Sequence, residues 1–171
     1  GKSVLLEKPP AATLSELEDL RELAAKVGKV VFTTWHAQYN KAVDEAKKAL
    51  AGWPIKRLLE TWKEDVRHGH PGRQWSCAAV GFGLFDPGIN ALSIVTHIMP
   101  EPVFLTGATL EFPENRDAPI AADLHFRDAG AMTVHGEFDW RQTGKQSWDI
   151  IAETAAGTME LAEGGSKLSV N

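Results

Sequence analysis

Three short segments of this chain carry side chains whose type and spacing could do chemistry. Glu7-Lys8-Pro9 sets a carboxylate and an ammonium before a residue that stops a strand and fixes the backbone beside the lysine. If the preceding residues form a parallel strand, Lys8 sits at the carboxyl edge of the sheet, where α/β folds bind ligands. It reads equally as a solvated loop lysine. Asp86-Pro87-Gly88-Ile89-Asn90 opens an apolar stretch of helical length. Asp86 and Asn90, four apart, then share one helical face. A carboxylate beside an amide suits proton transfer from a hydroxyl and a hydrogen bond to its neighbour. The structural alternative is an aspartate N-cap with Pro87 at the first helical position.

The third segment, Glu64-Asp65-Val66-Arg67-His68-Gly69-His70-Pro71-Gly72, crowds ionisable residues around a turn. It reads as a solvated charged loop or as the polar wall of a sugar site. A metal site from Glu64, His68, His70 and Cys77 has only an H-x-H pair behind it, so no metal is assigned. Trp35, Trp62 and Trp75 flank these segments and could offer rings to a sugar, whereas Trp53, Trp140 and Trp148 read as core or interface. His36, taken alone, is a satisfied histidine closing a strand. Glu64 and Asp86 as a glycosidase-like carboxylate pair have no supporting motif.

The elements that must position these residues follow from periodicity. Ser3–Leu6 reads as a buried strand. Thr13 and Glu16 form a capping box ahead of a helix stopped by Gly28, and 30–35 is a second buried strand. Strand, helix, strand is a βαβ unit with a parallel pair, too small to cover both faces of a sheet. A helix over 40–51, a strand over 55–65, a long loop over 66–83 and a helix over 85–98 follow. Apolar stretches at 103–112, 119–127, 131–140, 147–154 and 157–162, with short turns between them, predict an antiparallel meander. The expected fold class is α+β: a largely antiparallel open-faced sheet plus helices, preceded by a remnant βαβ unit of a Rossmann domain. The expected boundaries are 1–36 for the nucleotide-binding remnant and 37–171 for an α+β substrate-binding and oligomerisation domain.

The composition narrows the function classes. The chain has 171 residues, a net charge of −5 and 23 acidic against 18 basic residues, which argues against a general nucleic-acid binder. One cysteine rules out an internal disulfide framework and fits a reducing compartment, so a cytoplasmic setting is expected. No apolar run approaches the roughly 20 residues of a membrane helix, so no membrane partner is expected. Gly81-Phe82-Gly83-Leu84-Phe85-Asp86 imitates a dinucleotide fingerprint but ends on an aspartate and follows no strand.

Taken in order, Glu7-Lys8-Pro9, Trp35-His36, Glu64…His70-Pro71-Gly72, Asp86-Pro87-Gly88-Ile89-Asn90 and Leu110-Glu111-Phe112-Pro113-Glu114-Asn115-Arg116 resemble the glucose-fructose oxidoreductase/inositol dehydrogenase family. Within it the pattern is most similar to bacterial L-arabinose/D-galactose 1-dehydrogenases. The resemblance implies Lys8, Asp86 and Asn90 as catalytic residues, with Asp86 the acid/base and Asn90 orienting the sugar. It implies His36, Glu64 and His70 as substrate contacts and Glu7, Lys8 and Pro9 as cofactor contacts. Gly69 departs from the subgroup, which is expected to carry a large aromatic there. The implied cofactor is NAD or NADP and the implied reaction is oxidation of an aldose at its anomeric carbon to a lactone. The implied partners are a small sugar and a second copy of the chain, joined through the open sheet face. The family's glycine-rich fingerprint is not among these residues, so an internal fragment that binds NAD(P) poorly is expected. The alternative reading is a non-catalytic dimerisation or sugar-binding module.

Overall fold

Thr13 opens the first helix by the expected chemistry. Its hydroxyl accepts from the Glu16 amide at 3.2 Å, while the Glu16 carboxylate accepts from the Thr13 amide at 3.1 Å. The computed structural model describes residues 1–69, 82–114, 116–130 and 132–171. They divide into two units, Gly1–His36 and Ala37–Asn171.

The first unit is β1 (Val4–Leu6), α1 (Leu14–Lys26) and β2 (Val31–Thr33), with the strands paired in parallel. The βαβ reading holds, but the strands are not buried: Leu5 is 68% exposed and Phe32 52%. A two-stranded sheet with one helix has too little material to cover its faces. The second strand is also shorter than expected. Trp35 adopts a positive φ of 42° and the chain enters a 3-10 turn, His36–Tyr39, so Trp35 and His36 lie beyond the strand rather than closing it.

The second unit contains α2 (Val43–Ala51), β3 (Ile55–Lys63), α3 (Val66–Gly69), α4 (Phe85–Ile98), β4 (Phe104–Glu111), β5 (Ala121–Arg127), β6 (Thr133–Asp139), β7 (Ser147–Thr154), β8 (Thr158–Ala162) and β9 (Lys167–Val170). The helix expected over 40–51 starts later, at Val43. The first residues of the expected loop form the short α3, and residues 70–81 of that loop lie outside the described residues. The sheet order is β4-β5-β6-β3-β7-β8-β9. It is not a simple meander. β3 inserts between β6 and β7, parallel to the former and antiparallel to the latter. The turn signals between β6 and β7 therefore mark a connection that passes over β3 rather than a hairpin. β9, too polar to stand out in the sequence, pairs with β8 at the edge.

Alternation sets which face is covered. From Leu58 onward in β3, throughout β6 and from Ile150 onward in β7, the even-numbered residues are buried and most odd-numbered ones are half-exposed. Leu58, Val134, Ile150 and Ala152 join Met159 and Leu161 in a core with Val43, Ala46 and Leu50 of α2 and Ile94, Val95 and Ile98 of α4. The odd-numbered face carries Arg57, Lys63, Asp123, His125, His135, Glu137 and Glu153, and among the described residues no helix packs over it. Gly165, at φ 97°, lets the 3-10 turn Glu163–Gly165 close onto α2: a Cβ there would lie 2.7 Å from the Val43 side chain.

Candidate active site

At the ends of the two parallel strands, Glu7 is the organising residue. Its Oε2 accepts a hydrogen bond from the Thr34 hydroxyl at 3.1 Å and lies 3.6 Å from His36 Nδ1. The Thr34 amide donates to the Leu6 carbonyl at 3.0 Å, which holds the two strand ends level. The first unit thus brings Glu7, Thr34 and His36 together at the carboxyl edge, next to Lys8 and Pro9. This is the edge at which parallel sheets bind ligands.

In the second unit the candidates sit where the central strand runs out and where α4 begins. Glu64 follows β3, and its amide donates to the Asp139 carbonyl at 2.9 Å. Its carboxylate is 7% exposed and accepts from Trp140 Nε1 at 2.8 Å, with Trp140 itself 2% exposed. Trp140 follows β6, the parallel partner of β3, so the parallel pairing delivers both groups to one end of the sheet. Next to it, Asp65 accepts from the Arg67 side chain at 2.8 and 2.6 Å and from the Arg67 amide at 2.9 Å. The Arg67 guanidinium, helped by the Arg67 amide and His68, holds the Asp65 carboxyl well below the usual carboxylate range.

Asp86 is not an N-cap. Leu84 holds that position without a side-chain cap hydrogen bond, which makes Asp86 the second residue of α4. The cap alternative is therefore corrected: the N-cap position belongs to Leu84 and not to Asp86. Asn90 lies one turn on, so the two share a face as expected. The helix start is held instead by backbone, with Leu84 N donating to Pro119 O at 3.1 Å. Gly83, at φ 53°, permits this approach: a Cβ there would lie 2.6 Å from Ala118 Cβ. Farther along, Ser93 Oγ donates to the Asn90 carbonyl at 2.7 Å.

His70, Cys77 and Trp75 lie outside the described residues. Of the weakly motivated metal set only Glu64 and His68 are described; Glu64 is engaged by Trp140, and His68 lies 3.3 Å from Asp65. Trp62 stays with the sheet and packs against Trp148 with ring centroids 6.0 Å apart. Sequence reasoning missed Trp140 as a site residue. The sequence reads it as core or interface, and it is indeed buried in the core, yet its indole nitrogen also donates to Glu64. The signal available was its place just after a strand paired to the one that ends at Glu64.

No family model matches the chain. Galactose 1-dehydrogenase of Pseudomonas fluorescens is 41% identical over 173 residues, matching all of this chain and 55% of that protein. The crystal structure of a D-galactose-1-dehydrogenase protein from Rhizobium etli superposes with a TM-score of 0.96 at 67% identity, over 99% of this chain and 55% of that one. An inositol dehydrogenase homologue from Azotobacter vinelandii, solved with NAD+, shares the fold at a TM-score of 0.81 and 17% identity, over 99% of this chain and 48% of that one. The chain spans about half the length of the relatives it matches.

Proposed function

Since the chain belongs to the glucose-fructose oxidoreductase/inositol dehydrogenase family, we propose that it is part of a nicotinamide-dependent aldose 1-dehydrogenase acting on a sugar such as D-galactose or L-arabinose. The supporting observation is the whole-chain likeness to galactose 1-dehydrogenases, together with a carboxylate and an amide one turn apart at the start of α4. The product is the aldonolactone. Residues 1–36 act as the end of a nucleotide-binding Rossmann domain and 37–171 as the substrate domain.

The roles divide by chemistry. Asp86 takes the proton of the anomeric hydroxyl. Lys8 holds that oxygen and stabilises the negative charge that develops on it. Asn90 orients the sugar through its amide. His36, Glu64 and His70 contact the remaining hydroxyls, with Glu64 kept in place by Trp140. Glu7, Lys8 and Pro9 fit a cofactor contact in kind, because they leave β1 at the carboxyl edge of a parallel pair. NAD or NADP, when bound, supplies the redox chemistry by accepting a hydride from the anomeric carbon. The open face of the seven-stranded sheet joins a second copy. Among the described residues no helix is long and apolar enough to cross a membrane, and the cytoplasm is the proposed setting.

The test is an assay of the complete protein containing these residues against a panel of aldoses with NAD and NADP. Nucleotide reduction with D-galactose or L-arabinose, and none with their 1-O-methyl glycosides, is the expected result. Equal turnover of the methyl glycosides would place oxidation at another carbon and overturn the reading. No turnover of any sugar would favour a binding or dimerisation module.

A further inference from the structure

We propose that Asp123, His125 and His135 form a binding site for a divalent transition-metal ion of the zinc class, on the open face of the second unit's sheet. None of the three residues belongs to the sugar or cofactor contacts assigned above; they lie on the sheet face where a second copy is proposed to join, so the site falls within that interface.

The backbone assembles the group. Asp123 and His125 are two apart on β5 and point to the same face. The β5–β6 register places His125 opposite His135. One ligand atom from each of the three residues lies within 4.8 Å of the others. His125 Nε2 is 2.7 Å from Asp123 Oδ1, and His135 Nε2 is 2.8 Å from Oδ2. The two imidazoles stack with centroids 4.8 Å apart and planes 5° from parallel, so both nitrogens turn toward one carboxylate. A tetrahedral ion with bonds of 2.0–2.1 Å needs donors about 3.3 Å apart. Reaching that spacing opens each Asp–His contact by roughly half an ångström and tilts the two stacked imidazoles so that their ligand atoms, within 4.8 Å of each other, converge on one point.

Two further features fit a metal. His135 Nδ1 faces Glu137 Oε1 at 3.8 Å, and Glu137 is itself paired with Lys63. When Nε2 takes the ion, the imidazole proton sits on Nδ1, and a shift of a few tenths of an ångström would bring Glu137 into position to accept it, as outer carboxylates do at histidine metal sites. The fourth coordination position faces a concavity of about 590 Å³ lined by His125, His135, Glu137, Thr106 and Arg57. It can be filled by water or by a donor from the second copy proposed to join this face. Of the two arginines lining the concavity, Arg57 is paired with Glu153, whereas Arg127 adds a positive charge that the ion must outweigh. Two imidazoles and one carboxylate favour zinc, cobalt or nickel over magnesium or calcium, which prefer all-oxygen shells.

The experiment is a calorimetric titration of the chain with Zn(II), with Co(II) absorption as the second readout. Expected are one ion per chain, saturation at micromolar ion, and the intense visible bands of four-coordinate cobalt. His125→Gln, His135→Gln and the shape-preserving Asp123→Asn should each weaken binding at least about tenfold, with circular dichroism unchanged. The double variant His125→Gln/His135→Gln should lose the cobalt bands. No saturation below millimolar ion overturns the proposal, and so does binding that the double variant leaves intact.

Discussion

The Trp140 indole donates to the Glu64 carboxylate at 2.8 Å, and both side chains are buried. A core tryptophan therefore fixes a carboxylate assigned to sugar binding. Trp140→Phe keeps most of the ring volume but removes the donor. It should destabilise the chain by about 1–3 kcal/mol, the cost of leaving a buried acceptor short of a partner. In the complete enzyme KM for the sugar should rise more than kcat falls. Denaturant unfolding and steady-state kinetics read the two effects, and a variant with unchanged KM would remove Glu64 from the substrate contacts.

Asp86 follows the N-cap rather than forming it. Asp86→Ala should therefore change stability by less than about 1 kcal/mol, the size of a helix-terminus charge effect. The same change should lower kcat by roughly 100-fold or more, as expected for loss of a general base. Near-normal turnover would show that the aspartate serves the helix.

Glu60 points into the covered face of β3, is fully buried, and finds no partner for either oxygen among the described residues. Burial pushes its carboxyl up from 4.5 to about 8, so the folded chain holds it protonated at neutral pH. Between those values the folded state binds a proton the unfolded state has released. Stability contributed by Glu60 is thus full below the lower value and falls as pH rises through the window, by up to about 1.4 kcal/mol per pH unit. Glu60→Gln should flatten that slope in thermal melts taken across the window. Parallel pH profiles for the two proteins would refute it.

The 171 residues contain no glycine-rich pyrophosphate turn. Calorimetry of this chain with NAD or NADP at millimolar concentration should show no saturable heat. Saturable binding would mean that Glu7, Lys8 and Pro9 hold the nucleotide without that turn.

The uncovered sheet face should join two copies. Sedimentation equilibrium of the chain is expected to give a dimer or larger, and Arg57→Glu with Lys63→Glu should shift it toward monomer. A clean monomer for the unaltered chain would count against this interface.

The local rules of the chain were open to reading. The Thr13–Glu16 capping box, the bounds of α4 and six of the seven strands of the large sheet follow from periodicity and turn residues. What escaped were relations between distant segments. Nothing around Ile55–Lys63 announces that this strand will lie between two strands 70 or more residues later. The exposure of β1 and β2 was misread because an apolar run signals burial even where too little sheet surrounds it. The Asp123–His125–His135 group was within reach: counting outward from the turn at Asp128-Ala129-Gly130 puts 125 opposite 135. In the linear sequence the three residues form no recognised ligand spacing, because His135 joins them only across the strand pairing.

The central place of β3 bears on how the molecule comes to be folded. Leu58 pairs with Val134 on one side and Ala152 on the other. The middle of the sheet is thus closed by contacts far apart along the chain, and such topologies fold in milliseconds to seconds rather than microseconds. Asp86 and Asn90 lie inside the loop that the β3–β6 pairing closes. The bed beneath their helix is complete only when that pairing forms, so the proposed site at the start of α4 should take shape late in folding, with the long-range closure and not with the helix.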